Sequence, residues 1–507
     1  MHRGGGLGLA AAALLSACAV GPDFVRPAAP AADRYTRETP LAATATAEGV
    51  SQHFAPGAAL PADWWRLFRS APLDAAVQQA LAHSPTLQAA QATLRQSQSL
   101  LRAGDGVFYP QIDAALGAER ARGAPLQQGS SAPGTIYNVV TASGSIGYVL
   151  DVFGGERRAV EGLAAQVDVQ RYAAKAAYLT LSANVVDACI ARAAYAAQIR
   201  ATEQLIALEV EQLRSIEAQV RAGTASYANV LSQRSLIAAN QALLAPLQQK
   251  ISQAGHLLAL LQGALPSAAA LPDIALDTLT LPQDLPVSLP SDLVRQRPDI
   301  LAAEAQLHAA SAEIGVATAA MFPSFRLDAT FGSMGTSLGN LTAASGRFWS
   351  VGPSLTAPLF RGGTLRAQRQ AAIDAFDAQQ ANYRQTVLTA FSQVADALKA
   401  LEHDAQALQA QVDAERAATE ALTLLQTNYR AGLVAYIDVM TADVQYHQAV
   451  IGTVQTVAQR HQDTVALFVA LGGGWWNAAA APADAQAQGA RLEDNGDGGK
   501  SEEAGTP

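Results

Sequence analysis

The chain has 507 residues, half of them hydrophobic but only 6% aromatic, a balance that favours long, closely packed helices over aromatic-rich sandwiches and exceeds a single core. Its 34 basic and 43 acidic residues leave a formal charge of −9, which argues against a general nucleic-acid binder. Two cysteines, Cys18 and Cys189, and eight scattered histidines form no CxxC or HExxH spacing, and no GxSxG elbow occurs, so an enzyme reading has no chemistry to rest on.

Residues 1–17 begin with a basic group (Arg3), continue in an apolar run over 7–15 and end in small residues. That is the layout of a secretory signal peptide, too short to span a bilayer. The following "LSAC" resembles the lipobox of bacterial lipoproteins, where the signal is cut before the cysteine and the cysteine is acylated. Cys18 is therefore the expected lipid attachment site, carrying a diacylglycerol and an N-acyl chain. Ala19, in place of Asp, resembles sorting to the outer membrane. Cys189, in "NVVDACIARAA", reads as a small apolar residue of a helix. Residues 18–72 form a lipidated N-terminal segment, proline-rich over 24–72, that reads as connecting structure.

An internal repeat organises the rest. "SPTLQAAQATLRQSQSLLRAGDGVFYP" (84–110) aligns without gaps to "RPDILAAEAQLHAASAEIGVATAAMFP" (297–323), with Pro85 on Pro298, Leu94 on Leu307 and Pro110 on Pro323. "DVFGGERR" (151–158) answers "PLFRGGTLR" (358–366), and "VRAGTASYANVL" (220–231) answers "YRAGLVAYIDVM" (429–440). One unit thus occupies 73–265 and returns over 291–475, joined by a proline-rich connector at 266–290. Leu81, Leu87, Leu94 and Leu101 recur at helical spacing and predict a helix over 74–105. Strict alternation then predicts strands at about 111–121 and 136–151, with counterparts at about 324–334 and 348–359. Phe325, Leu327, Ala329 and Phe331 share one face against Arg326, Asp328 and Thr330; Trp349, Val351 and Leu355 oppose Ser350, Gly352 and Ser354. Each strand reaches the ~9–11 residues that a tilted strand needs to cross a bilayer.

Proline-free stretches predict very long helices over 156–221 and 364–430, each on the order of 100 Å at ~1.5 Å per residue. Both end at "RAG", a glycine helix stop, and return helices follow over 226–263 and 435–471. Residues 476–507 offer nothing to bury and read as a disordered tail. Four amphipathic strands cannot close a barrel, and lipid does not tolerate an open sheet edge. The chain must then share its strands with copies of itself, and a water-filled lumen points to three or more. The same alternation fits a soluble sheet with one face packed on helices, and with it a pore-less structural periplasmic lipoprotein.

The ordered motifs "CAVGPDFVRP" (18–27), "DWWRLFRSAPLD" (63–74), "RPDILAAEAQL" (297–307), "LFRGG" (359–363) and "YRAGLVAYIDV" (429–439) resemble the TolC-like outer membrane factor family, in its lipoprotein branch, over about 18–475. The resemblance implies a mainly α fold with a membrane β-barrel. In it a homotrimer of four strands per chain closes a 12-stranded barrel continued by a long periplasmic α-helical tunnel. It implies outer-membrane localisation with a lipid anchor, no catalysis and no cofactor beyond that lipid. The implied partners are a periplasmic adaptor and an inner-membrane pump of the resistance-nodulation-division type, with drugs or other small molecules conducted passively. An outer membrane channel for type I protein secretion is the alternative within the same architecture.

Gate residues follow only position by position. The resemblance places Asp438 near the threefold axis of the tip and Thr441 where the family carries a second acid. Tyr429 matches a tyrosine that tethers the closed tip, with Asn229 at the expected partner position; Val434 replaces a frequent arginine. Three Asp438 carboxylates around an axis would repel one another and attract cations. On the residues alone, Asp438 is a first-turn helix acid favoured by the macrodipole.

Overall fold

A computed structural model describes residues 19–38, 41–123 and 133–477. The signal peptide at 1–17, Cys18 and all of the expected tail from 478 onward lie outside the described residues. In chain order the main elements are β1 (His53–Pro56), a 3-10 turn (Trp64–Phe68), α1 (Ala71–His83), α2 (Pro85–Gly104), β2 (Gln111–Arg122), β3 (Ile136–Leu150), α3 (Gly155–Arg221) and α4 (Tyr227–Leu261). The second half follows with β4 (Asp284–Val287), α5 (Pro290–Gln296), α6 (Pro298–Ala319), β5 (Ser324–Gly335), β6 (Arg347–Thr356), α7 (Thr364–Arg430) and α8 (Tyr436–Ala470). The long helices α3 and α7 have 67 residues each, and the return helices α4 and α8 have 35 each.

Two local features depart from the periodicity. The helix expected over 74–105 is broken in two, because Pro85 lacks an N–H and forces the residue before it out of the helical region. Ser84 is accordingly extended (φ −60°, ψ 122°), and Pro85 starts α2. The second half repeats the device: Arg297 is extended (φ −75°, ψ 126°) before Pro298 starts α6. Strand β6 stops at Thr356 instead of 359, having passed Pro353, which an edge strand tolerates.

Both "RAG" stops are glycine caps. Gly223 and Gly432 sit at φ 75°, where a side chain would be strained. Gly223 N–H bonds to Val220 O at 3.0 Å and Thr224 N–H to Gln219 O at 2.9 Å; Gly432 and Leu433 repeat this with Tyr429 O and Asn428 O. These paired bonds occupy carbonyls that the helix ends leave free.

The chain folds into two compact units. Of the described residues, one takes those within 91–172 and 302–386 together with 19–28. It holds an antiparallel sheet of order β2-β3-β5-β6, whose outer edges are β2 and β6. The other unit takes the described residues within 29–90, 173–301 and 387–477. Its core gathers the fully buried Trp64, Trp65, Phe68 and Leu73, and Trp64 packs on Phe468 with ring centroids 5.7 Å apart. The "DWWRLF" motif is thus a hydrophobic plug, fixed by Trp65 Nε1 donating to Asp74 Oδ1 at 2.8 Å.

Two buried arginines of the second unit bind the ends of its elements. Arg297 Nη1 donates to the C-terminal carbonyl of Ala470 at 2.7 Å and Nη2 to Asp299 at 2.6 Å, placing a cation at the negative end of α8. Arg460 donates to Gln52 Oε1 and Thr44 Oγ1 at 3.0 and 3.2 Å, which holds the segment before β1. β1 then pairs in parallel with β4, His53 opposite Asp284.

Candidate functional site

The sheet is a wall with two chemically opposite faces. Its register sets Ile112, Ile146, Ala329 and Val351 in one row, and Ala114, Gly144, Phe331 and Trp349 in the next. The other face carries the row Asp113, Ser145, Thr330 and Ser350, beside Asp328, Arg326 and Ser354. On it Arg326 Nε donates to Asp328 Oδ1 at 2.6 Å, and Ser354 Oγ to Asp328 Oδ2 at 3.1 Å.

Large side chains of the apolar face are uncovered: Trp349 is 78% exposed, Ile112 72% and Val351 66%. A soluble sheet packed on helices would have buried that face, so the packed-sheet alternative is excluded. At ~3.4 Å per residue and a tilt of about 45°, the twelve residues of β2 or β5 rise about 29 Å, close to the height of a bilayer core. Gly144 has a close-approach role here. A Cβ at that position would lie 2.6 Å from the Phe331 ring, which covers it from the neighbouring strand.

In the same unit, the residues just after Cys18 are held at the base of the sheet. Val20 N–H donates to Phe153 O at 3.0 Å, at the junction of β3 and α3. Asp23 pairs with Arg158 at 2.6 Å, Phe24 stacks on His308 at 4.4 Å, and Arg26 pairs with Glu304 at 2.6 Å. Glu161 receives both Arg158 and His308, and these partners outweigh desolvation to hold its carboxyl below the usual range.

The second candidate region is the hairpin tip, where α3 turns into α4 and α7 into α8. An apolar cluster of Ile216, Val230, Leu422, Tyr436, Val439 and Ala442 packs the two hairpins together. Tyr429 packs against Tyr436 with ring centroids 5.2 Å apart and the planes tilted by 55°. Its hydroxyl donates to Gln219 Oε1 at 3.1 Å, a residue of the first hairpin other than the expected Asn229. Asn229 sits one turn into the hairpin, where its backbone N–H donates to Ser226 O at 3.0 Å.

Tyr436 donates to Gln233 Oε1, and burial, followed by the nearby Asp443, raises its phenol above the ordinary range. Asp438 is exposed and reaches back to accept from Ala435 N–H at 3.0 Å, the first-turn role that its residue type favours. Thr441 is exposed, its hydroxyl returned to Ile437 O at 2.9 Å. Gln219 and Gln233 carry no sequence signal, being two among many helix glutamines.

The family described as outer membrane efflux protein matches residues 76–264 and 289–473, one stretch in each repeat. The pyoverdine export outer membrane protein OpmQ of Pseudomonas aeruginosa is 31% identical over 421 residues, 81% of this chain and 87% of that protein. The toluene efflux pump outer membrane protein TtgC of Pseudomonas putida is 29% identical over 468 residues, 91% of this chain and 94% of its own length. Among solved structures, the outer-membrane channel OprN superposes with a TM-score of 0.82 at 26% identity, covering 90% of this chain and 100% of that one.

Proposed function

The chain belongs to the outer membrane efflux protein family and is an outer membrane efflux channel, and on that premise we propose that three copies close one pore as the outermost part of a tripartite pump. The open edges of β2 and β6 carry this reading. Four strands with an uncovered apolar face cannot end in lipid, and joining β6 of one copy to β2 of the next leaves no edge. Three copies give twelve strands, wider than the eight that side chains fill, and the Asp113–Ser145–Thr330–Ser350 row then lines water.

Cys18 carries the lipid in this reading. Its neighbours from Ala19 onward run along the base of the sheet, within reach of the membrane surface. A periplasmic adaptor and a proton-driven inner-membrane pump of the resistance-nodulation-division type supply the cargo. Relatives named for pyoverdine export and for toluene efflux align along nearly their whole length, which fits a shared conduit whose cargo is chosen elsewhere. Asp438 lines the tip constriction, with Tyr429 holding the hairpin shut.

Reconstitution in planar bilayers tests the proposal. The detergent-extracted chain should have the mass of three copies and conduct as a single pore, and Asp438→Ala should raise the conductance. A monomer that does not conduct overturns the trimeric channel; unchanged conductance in the variant removes Asp438 from the gate.

A further inference from the structure

Above the tip, three helices meet at a buried pair of carboxyl groups. Glu209 of α3 is 1% exposed and Asp443 of α8 is 6% exposed. Asn240 of α4 donates through Nδ2 to Glu209 Oε1 at 2.6 Å, and Gln233 Nε2 donates to the Glu209 backbone carbonyl at 3.0 Å. The other oxygen of each group, Glu209 Oε2 and Asp443 Oδ2, is buried with no donor among the described residues. The two side chains instead face one another.

Two ionised carboxylates in that position would offer only acceptors to each other, unhydrated and mutually repulsive. One proton held between them supplies the missing donor and removes one charge.

Among the described residues, the surroundings provide no alternative counter-charge. From α4 come only the amides of Gln233 and Asn240. From α8 come Tyr436, bonded to Gln233, and His447, whose Nε2 lies 3.2 Å from Thr202 Oγ1 and whose burial disfavours its charged form. Tyr429 of α7 stands beyond Tyr436. No arginine or lysine among the described residues contributes to either carboxyl.

We propose that Glu209 and Asp443 share one proton and form a latch that holds the second hairpin of the tip against the first, so that loss of this proton loosens the tip. The latch rests on the channel reading and adds a proton-dependent control to it. Burial, and then the facing Asp443, push the Glu209 carboxyl up to about 8, against the hydrogen bond from Asn240; burial raises Asp443 as well. A carboxyl raised in the closed tip binds its proton more tightly there than in an opened, hydrated one. The latch is therefore complete below the ordinary carboxylate range and is lost as pH rises through about 8.

The test is single-channel recording of the full-length oligomer between about pH 6 and about pH 8. One released proton sets a ceiling of about a hundredfold on the rise in open probability over those two units, and a rise of at least about fivefold is expected. Glu209→Gln and Asp443→Asn each place a permanent amide donor against the remaining carboxyl, so both should hold the change below about twofold. A native channel indifferent to pH, or variants that keep the native slope, overturns the latch. Asp438→Asn decides the matter independently of how the buried variants fold: a retained slope supports the latch, and a lost slope transfers it to Asp438. A chain that conducts at no pH removes the channel reading, and the latch with it.

Discussion

The two faces of the sheet can be separated by moving one charge by one residue. Val351 is 66% exposed on the apolar face in the row of Ile112, Ile146 and Ala329, near the middle of β5 and β6. Ser350, its neighbour, lies on the other face in the row of Thr330, Ser145 and Asp113. An arginine facing lipid at mid-depth costs about 2–4 kcal/mol, so Val351→Arg in three copies costs about 6–12 kcal/mol per barrel. That rivals the whole stability of an ordinary folded domain, about 5–15 kcal/mol. Ser350→Arg keeps the same charge in water and should assemble as the native chain does. Heat resistance of the oligomer on gels, outer-membrane fractionation and ion selectivity in bilayers report the outcome. Val351→Arg should lose the oligomer, whereas Ser350→Arg should keep it and shift selectivity towards anions. If Val351→Arg assembles normally, or if Ser350→Arg is the damaging change, the apolar face does not meet lipid and the barrel argument fails.

Two further outcomes follow from the helical unit. Tyr429→Phe deletes one hydrogen bond to Gln219, worth about 0.5–1.5 kcal/mol, and should raise open probability by up to about tenfold. Gln219→Leu should match it while Asn229→Ala changes little, and recordings that rank Asn229 above Gln219 would restore the expected pairing. Trp64→Ala empties a fully buried site against Trp65 and Phe468 and should cost about 3–5 kcal/mol, read as a lower melting temperature by circular dichroism. Unchanged melting would mean that the "DWWRLF" plug does not anchor its core.

Periodicity is a local property, and what it governs was readable. The switch from helical spacing to alternation falls where β2 and β5 begin, and the glycines of both "RAG" stops fall at the helix caps. Alternation also assigned Val351 and Ser350 to opposite faces, which the register then placed in definite rows. Long-range pairing leaves no such trace in one sequence. The parallel pairing of β1 with β4 joins residues more than two hundred positions apart, inside segments that read only as proline-rich connection. Gln219 as the Tyr429 partner, and Glu209 facing Asp443, depend on how helices are rotated about their axes over many turns, and a glutamine or glutamate in a polar helix does not announce its rotation. The break at Ser84–Pro85 was available from Pro85 itself, but the leucine spacing runs through it unbroken.

The duplication sharpens the contrast between scaffold and tip. Helix α7 begins 209 residues after α3, and α8 begins 209 residues after α4, so each position of one hairpin has a defined counterpart in the other. Scaffold positions repeat: Gly223 answers Gly432, with the same φ and the same pair of capping bonds, and Tyr227 answers Tyr436. The polar rungs do not repeat. Tyr429 answers Val220, Gln233 answers Ala442, Glu209 answers Ala418, and Asp443 answers Arg234, which is exposed and paired with Glu217. Every rung thus joins one group from each half whose counterparts cannot rebuild it. Within one chain, two hairpins of equal length and equal glycine stops are therefore tied, among the described residues, by rungs that each occur once. A change that breaks those ties frees one hairpin to move against the other while the apolar cluster of Ile216, Val230 and Val439 limits how far it travels. The repeat supplies the lengths that let the helices pack, and its divergence supplies the asymmetry that the proposed gate requires.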